Sequence, residues 1–348
     1  MSNILKNLTY FDKQFRAIVH PQDLAKLLKI ELYLLQLLAM SPQYNTFRVL
    51  KKNGKTRLIE DPEPHLKQIQ KQLNRYLQSI YHFKRTDAAY GFQIAVKNET
   101  DTRDIVSNAR RHRYDSFMLK ADFKDFFHQI SEKNIIDFFE KLLPEANTHC
   151  LELLTQLCCY NGRLPMGAPT SPVLSNLFTI QFDNDLQELA RKRLWTYTRF
   201  ADDLVFSADS PFSPNDFTEI QSVATIHDLY FNPDKTQFLH NQSQKIVTGI
   251  LLTKDGVSVP PDFFDETVLE IQKLKNIVEV QSRNGLPVTD WIEAFKDQIK
   301  GQINFVKFVL GDSSEEVQKL VKQYEDAVND EQLGYSEPVS WINLAYLV

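Results

Sequence analysis

Apolar residues fall at steps of three and four through residues 21–40 (PQDLAKLLKIELYLLQLLAM), which predicts one or two short helices. The period then changes. In TFRVLKKNGKTRLIEDP apolar residues alternate on both sides of an Asn-Gly, a strong hairpin signal. Pro62 and Pro64 close that hairpin, and Leu66, Ile69, Leu73, Leu77 and Ile80 then mark the buried stripe of an amphipathic helix. SFMLKADFKDFFHQI, residues 116–130, reads as a strand whose end carries charge, followed by a helix through EKNIIDFFEKLL that stops near Pro144. LPMGAPTSPVLSNLFTIQFDNDLQELARKRL opens as a Gly/Pro turn and continues as one long helix after Pro172. WTYTRFADDLVFSAD surrounds two adjacent aspartates with apolar and aromatic residues, which predicts a hairpin with carboxylates at its bend. Past residue 260 the pattern is helical: Trp291, Phe295, Ile299, Ile303, Val306 and Leu310 form one stripe, and Ser313 with Glu316 has capping-box spacing. Strands alternating with helices predict an α+β fold whose sheet carries helices on one face. No repeat or low-complexity tract interrupts the chain, so its lobes are expected to pack closely.

A chain of 348 residues has room for two or three lobes with their own cores. No window approaches eighteen uninterrupted apolar residues, so no membrane span is expected. The charged start, MSNILKNLTYFDKQFRAIVH, lacks the apolar segment of a secretory signal. Three cysteines (Cys150, Cys158, Cys159) are too few for a disulfide framework and read as half-buried helix residues in a reducing, cytoplasmic setting. The net charge of −5 hides an asymmetry. Residues 1–120 carry 21 Lys+Arg against 11 Asp+Glu, a balance of +10, whereas residues 121–348 carry 19 against 34, a balance of −15. Phosphate contacts would concentrate on the basic part.

Asp122 and the pair Asp202–Asp203 are the chemical candidates. Adjacent acids on a solvated loop mean little, but aspartates inside apolar strand-like runs are costly to bury without a cation or a hydrogen-bond network. Carboxylates brought together from separate strands suit Mg²⁺. Phosphoryl transfer uses two such ions about 3.5–4 Å apart.

Four strings, in order, carry a resemblance to reverse transcriptases over roughly residues 25–310. Phe200-Ala201-Asp202-Asp203 resembles their Tyr-x-Asp-Asp box with Phe in place of Tyr, and Asp122 with Phe126-Phe127 resembles their first catalytic motif. Leu164 to Pro172 (LPMGAPTSP) resembles the dNTP-site loop, and Asn232 to Thr236 (NPDKT) the motif after the catalytic hairpin. Asn108-Ala109-Arg110-Arg111-His112 and Val247-Thr248-Gly249 resemble two markers of the retron branch that are associated with recognition of a cognate structured RNA.

That resemblance implies a right-hand polymerase fold: an N-terminal helical extension over 1–45, fingers over 46–115, a palm over 116–255 that includes the nucleotide-site loop and helix of 150–190, and a helical thumb with tail over 256–348. It implies that Asp122 and Asp202 bridge two Mg²⁺ ions with the Phe123 carbonyl, and that Asp203 completes the cluster. It further implies that Phe127 excludes a 2′-hydroxyl, that Arg57 and Lys55 meet the triphosphate of a dNTP, and that Met166, Gly167 and Ala168 line its site. Lys235 would serve the leaving pyrophosphate, and Asn108, His112, Val247, Thr248 and Gly249 would contact RNA. Taken alone, Phe127 reads equally as a core aromatic, Arg57 as a solvated strand residue, Lys235 as a surface lysine, His112 as a capped or core histidine and Gly249 as a turn glycine. Two departures stand out. Met166 replaces a usual Gln, which is expected to alter nucleotide preference, and Phe200 lacks a hydroxyl beside the aspartates. The implied activity is RNA-directed DNA synthesis on a cognate non-coding RNA, giving a branched RNA–DNA molecule (msDNA), with an effector protein as partner in anti-phage defence. An abortive-infection-like enzyme or a non-catalytic RNA-binding scaffold of the same fold is the alternative. The acidic C-terminal segment, 8 basic against 16 acidic residues in 261–348, faces either a duplex with its few cations or a protein with its carboxylates.

Overall fold

The computed structural model describes residues 3–50, 54–94, 102–283 and 289–328. The chain begins with helices α1 (Asn3–Arg16), α2 (Pro21–Leu27) and α3 (Leu32–Met40), then the hairpin β1 (Tyr44–Leu50) and β2 (Thr56–Pro62), helix α4 (Pro64–Lys84) and the short β3 (Ala89–Tyr90). Next come α5 (Ile105–Arg110), β4 (Phe117–Asp122), α6 (Phe126–Gln129), α7 (Glu132–Leu142), α8 (Thr148–Cys158), α9 (Ser171–Phe178) and α10 (Ile180–Arg193). The hairpin β5 (Thr196–Phe200) and β6 (Asp203–Ala208), helix α11 (Pro214–Ile226) and β7 (Gln237–Leu239) follow. The remainder is β8 (Ile246–Val247), β9 (Ile250–Thr253), β10 (Gly256–Ser258), α12 (Pro261–Arg283), α13 (Asp290–Leu310) and α14 (Glu315–Val328).

Two compact units result. Residues 1–104 and 116–240 form the first, and residues 105–115 with 241–348 form the second. These limits cut the chain differently from the sequence reading, because residues 105–115 leave the expected fingers and join the C-terminal segment.

In the first unit a five-stranded sheet runs in the order β3-β5-β6-β4-β7, antiparallel except where β3 meets β5. Alternation puts Leu119, Ala121, Tyr197, Leu204 and Phe206 on one face, where they enter the core with Leu66, Ile69 and Leu73 of α4, Phe139 of α7 and Phe182 and Leu186 of α10. Helix α4 starts where the sequence marks it: Pro64 takes a first-turn position, and the Glu63 side chain accepts from the His65 N–H. Its whole expected stripe is buried.

Residues 21–40 make two short helices, within the one or two expected, with Lys29 between them at a positive φ of 52°. Several other expectations need correcting. The helix after Pro172 breaks at Thr179, whose hydroxyl returns to the Ser175 carbonyl at 2.9 Å, so two helices stand where periodicity predicts one. Ser314, not Ser313, leads into α14, its hydroxyl 2.6 Å from Glu316 Oε2. Trp291 is 61% exposed and stacks on Phe295 outside the stripe, which Ile292, Ile299, Ile303, Val306 and Val309 form instead. The three cysteines are fully buried rather than half-buried. No helix among the described residues is long and apolar enough to cross a membrane.

Beneath the β5–β6 bend lies a charged pair with no solvent exposure. Arg199 donates from Nε to Asp183 Oδ1 at 2.8 Å and from Nη2 to Asp183 Oδ2 at 2.7 Å. Its remaining donors reach Thr179 Oγ1 at 2.7 Å, Asn176 Oδ1 at 3.2 Å and the Ala201 carbonyl at 2.9 Å. Tyr197 adds a hydroxyl donor to Asp183 at 2.9 Å. Burial pushes the Tyr197 phenol well above its ordinary range, and the neighbouring Asp183 charge pushes it further. Satisfied on every side, the pair fixes the strand that leads into the bend. Asp183→Leu leaves a buried guanidinium without its counter-charge and is expected to cost about 3–5 kcal/mol, read as a lower Tm in thermal melts.

Candidate active site at the β5–β6 bend

Register decides what meets at the sheet's end. Asp122, last residue of β4, lies directly across from Asp203, first residue of β6, and Phe200 pairs with Asp203 on the other side. The bend between them is tight, with Ala201 at a positive φ of 56° and its carbonyl held by Arg199. The backbone of Phe123 donates to the Asp202 carbonyl at 3.1 Å, which ties the β4 end to the bend itself. Gly91 leaves room for the Phe200 ring, since a Cβ there would stand 2.9 Å from it.

The three carboxylates crowd one another. Asp122 is buried, and its Oδ1 has no hydrogen-bond partner, whereas Oδ2 accepts from Lys235 Nζ at 2.6 Å. Asp202 is half-buried, and the protein around it raises its carboxyl, with the Asp122 charge adding to the shift and Lys235 and Arg57 opposing it. Asp203 is raised by burial first, then by the Asp202 charge and by direct side-chain contact with the Asp122 carboxylate, although its outer side is exposed and water screens part of the repulsion. An orphaned buried oxygen amid like charges is the condition that a bound cation relieves. Among the described residues no three carboxylate, histidine or cysteine side chains form a ready-made cage.

The Phe123 side chain turns inward, stacked between Phe126 and Phe231 at ring distances of 5.0 Å each. Its backbone neighbours the aspartates: Lys124 N–H bonds the Tyr230 carbonyl and Asn232 N–H the Asp122 carbonyl, which leaves the Phe123 carbonyl out of that ladder. Lys235 occupies a short 3-10 turn (Pro233–Lys235) begun by the Asn232 side chain, and its ammonium already sits on Asp122 rather than projecting freely.

The expected nucleotide residues share the first unit. Phe127 is half-buried on α6, 5.7 Å from the Phe126 ring and 6.1 Å from Phe92. Arg57 is half-buried on β2 and near enough to act on the Asp202 charge; Lys55 is exposed at the strand's start. Met166 and Gly167 are half-buried and Ala168 is buried. At Gly167, φ is +137° and a Cβ would lie 2.6 Å from the Glu60 carbonyl oxygen, so this loop approaches β2 as only glycine permits.

The two retron-like strings meet in the second unit. Thr248 and Gly249, both at positive φ (49° and 80°), are the two-residue turn joining β8 to β9. The Thr248 hydroxyl donates to the Ile105 carbonyl of α5 at 3.1 Å. Gly249 is exposed and Thr248 half-exposed, but Asn108, His112 and Val247 have no exposed surface. Those three lie beneath the surface that the Thr248–Gly249 turn presents. Burial, with Arg111 beside it, lowers His112 to about 3 and keeps the imidazole neutral.

Periodicity missed Glu60, Arg163, Asp183 and Arg199, which hold the site from behind. For Glu60, Asp183 and Arg199 the available signal was a charged residue inside an apolar strand or helix; Arg163, in the loop before α9, offered none.

Carboxylates forced together at a hairpin bend, beside a basic hairpin and a glycine-fitted loop, are the makings of a nucleotide-transferring site in the first unit. Residues 49–272 match the reverse transcriptase (RNA-dependent DNA polymerase) family. The chain is 30% identical over 259 residues to the retron Ec86 reverse transcriptase of Escherichia coli, covering 72% of this chain and 77% of that protein. It is 28% identical to the retron Mx162 reverse transcriptase of Myxococcus xanthus (62% of this chain, 48% of that one) and 26% identical to the retron Ec83 reverse transcriptase of Escherichia coli (61% and 69%). Among solved structures, telomerase from Candida albicans with a telomeric RNA fragment aligns over 84% of this chain and 64% of its own at 10% identity and a TM-score of 0.45, too distant to bear on the site. The chain belongs to the reverse transcriptase family, on its retron branch: an α+β right-hand polymerase that makes DNA on an RNA template from dNTPs with divalent metal.

Two outcomes follow from this geometry. Gly167→Ala is expected to lower activity at least about tenfold, because the new methyl must push the loop off β2; primer extension measures it. Carboxyls raised in the folded state bind protons that the unfolded chain has lost, so metal-free stability falls as pH climbs above the ordinary carboxylate range. Thermal melts are therefore expected to show a larger Mg²⁺ stabilisation at about pH 8 than at about pH 5, and a flatter metal-free profile for Asp203→Asn.

Proposed function

We propose that the chain copies part of a cognate structured non-coding RNA into single-stranded DNA and retains a branched RNA–DNA product, msDNA. The observation that carries the catalytic part is the buried, unpartnered Asp122 Oδ1 opposite Asp203. In this reading Asp122, Asp202 and the Phe123 carbonyl hold two Mg²⁺ ions and Asp203 adds charge. The ions, when bound, activate the primer hydroxyl and neutralise the leaving pyrophosphate. The chain's own groups do the rest. Lys235, whose ammonium sits on Asp122 Oδ2, would supply its proton or charge to the pyrophosphate. Arg57 and Lys55 receive the triphosphate, where a planar guanidinium matches phosphate oxygens. Phe127 closes the space a 2′-hydroxyl would need, and Met166, Gly167 and Ala168 floor the site.

RNA recognition is assigned to the second unit, at the Thr248-Gly249 turn over α5. The buried Asn108 amide supports it: neither its nitrogen nor its oxygen has a protein partner, a cost retained where function demands it. The relatives supply the retron setting, and with it we assign an effector protein as partner and a role in anti-phage defence within the cytoplasm.

The test is to purify the chain with its co-expressed RNA and digest separate samples with RNase and DNase. A discrete short DNA with an RNase-sensitive branch supports the reading; RNA alone favours a scaffold, and DNA lacking a branch favours an abortive-infection-like enzyme. Asp202→Asn is expected to remove the DNA while leaving folding and RNA association in place.

A further inference from the structure

One buried carboxylate behind the nucleotide site has no role in the chemistry so far. Glu60 is 1% exposed, on β2, three residues beyond Arg57. Arg163 grips it with two bonds, Nη1 to Oε2 at 2.9 Å and Nη2 to Oε1 at 3.0 Å. The Met166 N–H donates to Oε2 at 3.1 Å, and His128 Nε2 lies 3.2 Å from the same oxygen. The clasp is two-way, since the Glu60 N–H donates to the Met166 carbonyl at 2.7 Å. Burial alone would raise this carboxyl, but Arg163, the Met166 N–H and His128 outweigh it and hold Glu60 ionised.

These partners come from three separate pieces of the pocket. Arg57 shares β2 with Glu60. His128 follows Phe127 on α6. Met166 begins the Met166–Ala168 floor, whose Gly167 touches the Glu60 carbonyl. A purely structural link would not need a buried charge, because an apolar contact of equal volume is often as stable. A charge-assisted fork fixes angles as well as distance.

We infer that Glu60 is a positioning residue for nucleotide selectivity, locking fingers strand, Phe127 helix and Met166 loop into one frame. The inference rests on the polymerase reading above. With the frame loosened, the space beneath the sugar is no longer fixed, and ribonucleotides enter more easily. The metal-holding aspartates, whose backbone ties run to the β5–β6 bend instead, keep their place.

Steady-state incorporation of dNTPs and rNTPs by the full chain on an annealed RNA template and DNA primer tests this. Glu60→Gln keeps the volume but loses the fork. It is expected to raise KM for dNTP about tenfold, with kcat changed less, and to reduce dNTP-over-rNTP discrimination by a similar factor. If that variant fails to fold, His128→Leu serves, because it keeps the Glu60–Arg163 pair and removes only the donor that ties Glu60 to the Phe127 helix; discrimination is again expected to fall. Wild-type KM and discrimination in the folded variants would overturn the inference while incorporation persists. No incorporation by the unmodified chain would instead sink the polymerase reading, and this with it.

Discussion

Like charges held side by side are the constraint around which the first unit is organised. The pairing of β4 with β6 sets Asp122 against Asp203, and nothing about that register is comfortable for two carboxylates. The cost is met from outside the cluster. Arg199 pins the bend from beneath, the Phe123 N–H pins it from the side, and the aromatic stack of Phe126, Phe123 and Phe231 stiffens the strand's end. Lys235 then covers one Asp122 oxygen and leaves the other without a hydrogen-bond partner.

The same logic explains where charge is buried. Arg199 with Asp183 and Arg163 with Glu60 are hidden ion pairs, and neither is needed to seal the core. Each stands one layer behind a backbone segment that it fixes: the β5–β6 bend in one case, the Met166–Ala168 loop in the other. Directional, charge-assisted bonds suit that task better than apolar packing, which tolerates sliding.

How much of this could be read from the chain alone varies with sequence distance. The hairpins, the α4 stripe and the acidic bend were legible because each is written within about twenty consecutive residues as a period or a turn dipeptide. Glu60 was not, since its meaning comes from Arg163, 103 positions away. Thr179 breaks a helix through its own hydroxyl, which an apolar period does not register. Between Ser313 and Ser314 the spacing rule chose the wrong neighbour, and side-chain reach to Glu316 chose the right one. Asn108 and His112 were legible as a string, but their burial was not; the α5 helix that carries Asn108, with His112 just beyond its end, packs beside β8, β9 and β10, elements more than 130 residues later.

That last arrangement limits how the protein can be taken apart or rebuilt. The second unit is assembled from two stretches of chain, and the shorter one, 105–115, is spliced into the first unit at both ends. A cut near residue 240 therefore does not release a clean C-terminal module; it strands Val106 and Ala109 without their covering strands. Exchange of that module between relatives would have to carry the short inserted stretch along with the C-terminal one, so the two segments are expected to change together over evolutionary time although residues 116–240 lie between them.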